Sequence, residues 1–301
     1  MAGIVDGRVV VVTGAGRGIG RAHALAFAAE GAQVVVNDIG VGLDGQGEST
    51  GPAQDVVNEI VAAGGRAVAN ADDIASWEGA ERLIATAVDA FGGLDVLVNN
   101  AGFLRDRMLA NMSEQEWDAV IRVHLKGHFA PLRHAAGYWR DESKAGRQRQ
   151  ARVVNTSSGA GLLGSIGQGN YAAAKAGIAA LTIQAAAEMG RYGITVNAIA
   201  PAARTRMTEV AFAADMAAPD AGFDAMAPEN ISPLVVWLGS VDAAAVTGRV
   251  FEVEGGKVSL AQAWRHGPAR DKGARWRPSE LGAVVADLIA EAPAPEPVYG
   301  T

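Results

Sequence analysis

Tyr171 and Lys175 stand four residues apart in the run Tyr-Ala-Ala-Ala-Lys, and Ser158 precedes the tyrosine by thirteen positions. On a helix, a spacing of four puts both side chains on one face, one turn apart. A tyrosine of ordinary pKa, about 10, is a poor base near neutral pH, and an ammonium beside it stabilises the phenolate. A lowering of two or three units asks about 3 to 4 kcal/mol of the arrangement. Such a pair can exchange a proton with a hydroxyl or carbonyl, and Ser158, at the end of a predicted strand, can hydrogen-bond the same oxygen. A Tyr and a Lys at this spacing also describe an ordinary surface pair, so the case depends on what accompanies them.

The second group of residues suits an anion. Val9 to Val12 form a short apolar run that breaks into Thr13-Gly14-Ala15-Gly16-Arg17-Gly18-Ile19-Gly20. In a strand-to-helix turn, glycines allow a tight path and close approach of a pyrophosphate, and the N–H groups of the helix start face it. The spacing is T-G-x-x-x-G-x-G rather than G-x-G-x-x-G. Asp38 follows Gly20 by 18 residues, at the end of the second predicted strand. There a carboxylate accepts from a ribose diol and repels a 2′-phosphate, which favours NAD over NADP, while Arg17 in the loop is a cation that suits a 2′-phosphate.

These residues need a scaffold, and the rest of the chain reads as one. Apolar strands alternate with helices: Val34 to Val36, helix Val56 to Ala63, Ala67 to Ala69, helix Glu78 to Phe91, then Val96 to Val98. Ser113-Glu114-Gln115-Glu116 is a capping box that opens a long helix through Val120 and Phe129. The alternation resumes with Val153-Val154, helix Tyr171 to Met189, Ile194 to Ile199, helix Pro233 to Leu238 and a last strand Val250 to Val253. The expectation is an α/β fold, a doubly wound parallel sheet of seven strands with helices on both faces, over residues 1–255. Residues 39–51 form a Gly-rich insertion, and the polar run 141–150 reads as a solvated loop. Residues 256–301 form an extension, packed on the core through Trp264 and Trp276 and ending in a Pro-rich segment.

Composition narrows the function classes. The chain has 301 residues, no Cys and five His without an HExxH pair, which excludes thiol chemistry and disulfides and leaves little for a metal site. A formal net charge of -7 gives no reason to expect a nucleic acid. A small-molecule substrate is favoured. The N-terminus does not read as a leader and no apolar stretch suggests a membrane segment, so a cytoplasmic protein is expected.

Taken together, Thr13 to Gly20, the Asn-Asn-Ala-Gly string at 99–102, Ser158 and the Tyr171 to Lys175 run resemble the short-chain dehydrogenases/reductases over about residues 6–255. The resemblance implies a Rossmann fold and a nicotinamide cofactor. By position it implies that Gly14, Arg17, Gly18, Ile19 and Gly20 hold the phosphates and ribose, Asp38 the adenosine ribose, and Asp73 with Ile74 the adenine. It implies Asn99, Ala101, Gly102 and Pro201 as support for the cofactor, Tyr171 as acid/base, Lys175 as ribose ligand and tuner of Tyr171, and Ser158 as orienter of the carbonyl. It also implies a homotetramer.

Two departures stand out: His124 where the family usually has Asn, and Pro201-Ala202 where it has Pro-Gly. Together with Leu-Arg-Asp-Arg at 104–107 and Phe-Glu-Val-Glu-Gly-Gly at 251–256, they are similar to the (3R)-hydroxyacyl-CoA dehydrogenases of peroxisomal multifunctional enzymes. That subgroup implies an acyl-CoA or 17β-hydroxysteroid substrate. His124 is either a member of a proton relay or a histidine packed beneath the site. Arg204 and Arg206 are candidates for coenzyme A phosphates or else solvated loop cations, and Met207, Met216 and Met226 for an apolar cleft or for ordinary packing. An NADPH-dependent 3-oxoacyl-carrier-protein reductase and a catalytically silent NAD-binding protein remain as alternatives.

Overall fold

A continuous ladder of β-branched side chains builds the sheet from its middle outward. The computed structural model describes residues 3–40, 51–205, 218–219, 221–262 and 264–298. Strands β1 (Val9–Thr13), β2 (Gln33–Asn37), β3 (Arg66–Asn70), β4 (Val96–Asn99), β5 (Arg152–Thr156), β6 (Thr195–Ala202) and β7 (Val250–Glu254) pair in the order β3-β2-β1-β4-β5-β6-β7, all parallel. Strands buried on both faces read as unbroken apolar runs, as β1 does, because helices cover the sheet on either side.

The expected seven strands are joined by an eighth. Strand β8 (Lys257–Ala261) folds back antiparallel on β7 through a turn at Gly255, whose φ of +52° suits glycine. The sheet therefore continues past residue 255, into what the sequence reading assigned to the extension.

Helices α1 (Gly18–Ala29), α2 (Gly51–Ala62) and, late in the chain, α8 (Ser232–Gly239) cover one face, where Phe27, Val56, Ile60 and Val235 pack on Val34 and Val36. Helices α3 (Trp77–Phe91), α5 (Gly127–Lys144) and α7 (Gly169–Met189) cover the other, with Leu83, Leu132 and Trp139 against Leu97 and Val153. Each such side chain contributes roughly 1.5 to 3 kcal/mol by leaving water. Trp139 also donates its indole N–H to the Leu94 carbonyl at 2.7 Å.

The long helix expected from Ser113 is interrupted. Its capping box forms, with Ser113 and Glu116 satisfying each other's backbone N–H groups, and opens α4 (Glu114–Ile121). A π-helical turn, Arg122–Lys126, then carries His124 before α5 begins. Helix α5 keeps going through Asp141 to Lys144, so the polar run is half helix, and Arg147 and Arg149 beyond it are tied to Glu142 and Asp95.

The extension differs from its expectation. None of the described residues from 262 to 298 is buried, Trp264 is fully exposed, and helix α9 (Leu281–Glu291) buries no side chain. Trp276 is partly covered, by the Lys272 ammonium 4.9 Å from its ring. Val298 lies near Gly164, 4.0 Å from where a β-carbon would stand. Among the described residues, no helix is long and apolar enough to cross a membrane.

Candidate active site

In a doubly wound sheet, ligands bind outside the carboxyl ends of the strands where the order reverses. Here that point lies between β1 and its two neighbours β2 and β4. A cleft of about 420 Å³ opens there, lined by residues from the ends of β1, β2, β4, β5 and β6 and the segments that follow them. It gathers Gly14, Arg17, Gly18, Ile19, Gly20, Asp38, Asp73, Ile74, Ala101, Gly102, His124, Tyr171, Lys175 and Pro201, most of the residues expected from sequence.

The anion end is made by backbone. Gly14 has φ +62°, and a β-carbon there would stand 2.7 Å from the Ala101 α-carbon. A β-carbon on Gly20 would meet the Gly14 carbonyl at 2.2 Å, so helix α1 can start against the loop only with glycine at this place. Arg17 occupies the cap of α1 without offering a side-chain acceptor to its first turn. Asn100 braces the loop, donating from Nδ2 to the Thr13 carbonyl at 3.0 Å, while its own N–H donates to Thr13 Oγ1 at 2.9 Å. Asp38 closes over the loop: Oδ2 accepts from the Gly16 N–H at 2.9 Å and Oδ1 from the Gly40 N–H at 2.7 Å. These two backbone donors fix the orientation of the Asp38 carboxylate, with lone pairs left for a diol.

Farther along, Asp73 Oδ1 accepts from the Ala75 N–H at 2.8 Å, and Oδ2 pairs with Arg122 of the π-helical turn. Ile74, 5% exposed, lines the cleft and packs its side chain toward Gly127. These features fit a dinucleotide: a glycine cradle that a β-carbon would fill, an oriented carboxylate, and an apolar wall for a base.

At the other end Tyr171 stands in the first turn of α7. Asn170 fixes that turn, donating from Nδ2 to the Arg105 and Glu116 carbonyls at 3.0 Å and accepting the Tyr171 N–H at 2.7 Å. Lys175 lies 5.5 Å from the Tyr171 ring centroid and donates to the Thr156 carbonyl at 2.6 Å. It is 2% exposed, and burial pushes its pKa from 10.5 down to about 7.

His124 packs edge-on against Tyr171, with centroids 5.1 Å apart. Its Nε2 lies 2.7 Å from the Phe103 carbonyl and 3.1 Å from the Phe103 N–H. A β-carbon on Gly102 would sit 2.2 Å from His124 Cε1, so the last glycine of the Asn-Asn-Ala-Gly string makes room for this ring. Burial, then the Lys175 charge, lowers the His124 pKa to about 3, against the Phe103 carbonyl, which raises it. The ring is neutral at physiological pH.

Some expected residues serve elsewhere. Ser158 is not among those that line the cleft; its Oγ accepts from the Ala160 N–H at 3.2 Å and caps the short helix α6 (Gly159–Leu163). Asn99 is buried behind the wall, donating to Asn155 Oδ1 at 3.0 Å. Arg204 is held by both carboxylate oxygens of Asp224, at 2.5 and 2.7 Å, and so is not set out for a coenzyme phosphate. Arg206, Met207 and Met216 fall outside the described residues, and Met226 lies in the loop that accepts the Arg204 N–H. Sequence reasoning missed Asn100, Asn155 and Asn170. The Asn after Asn99 and the Asn before Tyr171 were signals of a kind, since buried amides of this sort brace loops.

The fold and site together define a dinucleotide-binding oxidoreductase of the doubly wound type. The chain belongs to the short-chain dehydrogenase family, whose model matches residues 8–215, and acts on CH–OH groups with a nicotinamide cofactor. It is 51% identical over 297 residues to the hydroxyacyl-CoA dehydrogenase ChsB1 of Mycobacterium tuberculosis, covering 95% of this chain and 90% of that protein. It is 46% identical to the peroxisomal multifunctional enzyme type 2 of Mus musculus, covering 83% of this chain but 32% of that protein. A crystal structure of a short-chain dehydrogenase from Mycobacterium avium is 67% identical, with a TM-score of 0.89 over 99% of this chain and 100% of that one.

Proposed function

We propose that this chain is an NAD-dependent dehydrogenase that interconverts a 3-hydroxyacyl-CoA and its 3-oxo form, with Tyr171 as the acid/base. The observation that carries the reading is the placement in the cleft of Tyr171 with the Lys175 ammonium 5.5 Å and the neutral His124 ring 5.1 Å from its ring. The dinucleotide, when bound, supplies the hydride acceptor. Tyr171 takes the hydroxyl proton, and Lys175 stabilises the phenolate that must exist before it does so. Gly14 to Gly20 bind the phosphates, Asp38 binds the adenosine ribose and selects against a 2′-phosphate, Asp73 and Ile74 receive the adenine, and Pro201 and Ala101 line the path between. Ser158 remains the proposed orienter of the substrate oxygen, since its hydroxyl, which accepts from the Ala160 N–H, keeps its own O–H to donate.

Support for the acyl-CoA class comes from one relative named for that substrate, the hydroxyacyl-CoA dehydrogenase ChsB1, matched over 90% of its length. The experiment is NADH formation by the purified chain with a (3R)-hydroxyacyl-CoA and, beside it, a 17β-hydroxysteroid, in wild type and Tyr171→Phe. The expected result is turnover of the acyl-CoA, abolished in the variant with cofactor affinity retained. Turnover that survives Tyr171→Phe contradicts the assignment, and faster turnover of the steroid corrects the substrate. The reading keeps a homotetramer as its assembly, and a monomer in light scattering contradicts that part alone.

A further inference from the structure

The π-helical turn that carries His124 to Tyr171 also reaches Asp73. Arg122, Val123 and His124 are consecutive, and all three line the cleft. An i→i+5 ladder takes more residues per turn than an α-helix, so successive side chains spread less widely around the axis and three in a row can share one side. From the first position of the turn, Arg122 gives its guanidinium to Asp73 Oδ2. The two side chains are 50% and 36% exposed. An ion pair so exposed adds little to stability, and its effect is to be sought in the cleft that both residues line.

The backbone of Asp73 is anchored. Its carbonyl accepts from the Ser76 N–H at 3.0 Å, and a β-carbon on Gly79 would collide with that oxygen. Its side chain is less constrained by rotamer preference, because the terminal torsion of an aspartate is broad. The Ala75 N–H, 2.8 Å from Oδ1, pins one oxygen, and the carboxylate can still swing its plane about that contact. The guanidinium on Oδ2 takes away that second freedom. An ionised carboxylate has about four acceptor sites, so about two remain once Ala75 and Arg122 are served. These suit the amino group of a base, which donates, and repel a keto oxygen in the same place, which only accepts.

We propose that Arg122 is a positioning residue for Asp73: it sets the carboxylate plane so that the cleft prefers a dinucleotide whose purine carries a 6-amino group to one with a 6-oxo group. A guanidinium is always charged and its planar fork matches a carboxylate, which the point charge of a lysine does not. The inference rests on the reading of Asp73 as a residue that receives the adenine.

The test compares the binding of NADH and of its deamino analogue, in which hypoxanthine replaces adenine, to the full chain. Dihydronicotinamide fluorescence reports both, with no alcohol present. Wild type is expected to favour NADH about tenfold, the worth of one charge-assisted hydrogen bond. Arg122→Met keeps the apolar stem and loses the fork, and the ratio is expected to fall about three- to fivefold, with part of the loss recovered in Arg122→Lys. In an Asp73→Ala background the preference is expected to be gone, and Arg122→Met should then change the ratio no further, because the two residues act through one group. A ratio that is unchanged in Arg122→Met overturns the proposal. So does one that rises because the freed carboxylate binds the amino group better, or a further fall in the Asp73→Ala background, where Arg122 would be meeting the base itself. If Asp73→Ala alone leaves the wild-type ratio as it was, the reading of Asp73 fails and the proposal with it. Absent turnover of the hydroxyacyl-CoA, by contrast, contradicts the proposed function and leaves these ratios unaffected.

Discussion

Two regions of this chain make opposite use of their residues. At the cleft, strand ends, the glycine loop and the first turn of α7 are cross-braced by Asn100, Asn170 and Asp38, and backbone comes so close to backbone that a single added carbon would collide. In the extension beyond β8, Arg277 and Lys272 pair with Glu280 and Arg270 with Glu291, all within the extension, and no described residue is buried. A site built from close-packed backbone tolerates few residue types at each position. A segment whose side chains face outward tolerates many.

The sharpest way to break the contrast is to add one methyl group. In Gly102→Ala the new β-carbon meets the His124 ring at 2.2 Å, and the ring cannot yield without leaving Tyr171 and the Phe103 backbone. The expected outcome is a loss of kcat/KM of about 100-fold or more, since small displacements of catalytic groups cost that much. The Tm falls less than in a core deletion such as Leu97→Ala, where about 2 to 5 kcal/mol is lost. Stopped-flow kinetics and thermal melts check both, and normal activity in the Gly102→Ala variant would show that His124 is not held where the acid/base needs it.

A second effect is global and depends on pH. His23, fully buried with Nδ1 2.9 Å from Ser232 Oγ, is pushed by burial down to about 3, as His124 is. The folded values are depressed, so between about pH 6.5 and 3 the unfolded chain binds protons that the folded one refuses. Stability is therefore whole above that window and is lost as pH falls through it, by about 2 kcal/mol per buried imidazole at pH 5. Urea midpoints at pH 7.5 and pH 5 measure this, and His23→Gln should flatten the acid limb. Equal midpoints in the two buffers would mean that these rings are charged or exposed in solution.

The contrast also explains what could be read in advance. The seven parallel strands, the glycine loop, Asp38 and the Tyr171 to Lys175 pair were legible because periodicity and steric need leave few alternatives. The π-helical turn at Arg122–Lys126 was not, since nothing in local propensity distinguishes it from the α-helix on either side. Strand β8 was hidden because Lys257 to Ala261 alternates on an edge with Val258 and Leu260 half exposed, a weak pattern. The ion pair of Arg204 could not be read from the sequence because its partner Asp224 lies 20 residues on and only the fold brings them together. Trp264 misled for the opposite reason: a large aromatic ring signals burial on average, and here it stands in solvent.

Cofactor choice tests the cleft more gently. Asp38→Ala removes the carboxylate that meets the Gly16 and Gly40 N–H groups and leaves Arg17 in place. The ratio of NAD to NADP affinity is expected to fall by about one to two orders of magnitude, the worth of a lost charge-assisted contact together with a relieved repulsion. Isothermal titration with each dinucleotide gives the ratio, and an unchanged ratio removes Asp38 from the cofactor site.

The smallest effect belongs to the extension, and it decides whether the two regions are independent. Truncation after Arg277 removes α9, whose Leu281, Val285 and Ile289 are exposed, together with the Glu280 partner of Lys272. Exposed ion pairs contribute about 0 to 1 kcal/mol, and no buried apolar side chain is lost, so the urea midpoint of the folded chain should move little. Affinity for the dinucleotide should not move at all, because among the described residues those that line the cleft all come before position 206. Val298 of the extension approaches the core near Gly164, in the segment after α6. A truncated chain that binds cofactor normally but has a higher KM for the alcohol would place that contact on the substrate side. One that loses cofactor affinity would mean that the extension supports the cleft after all.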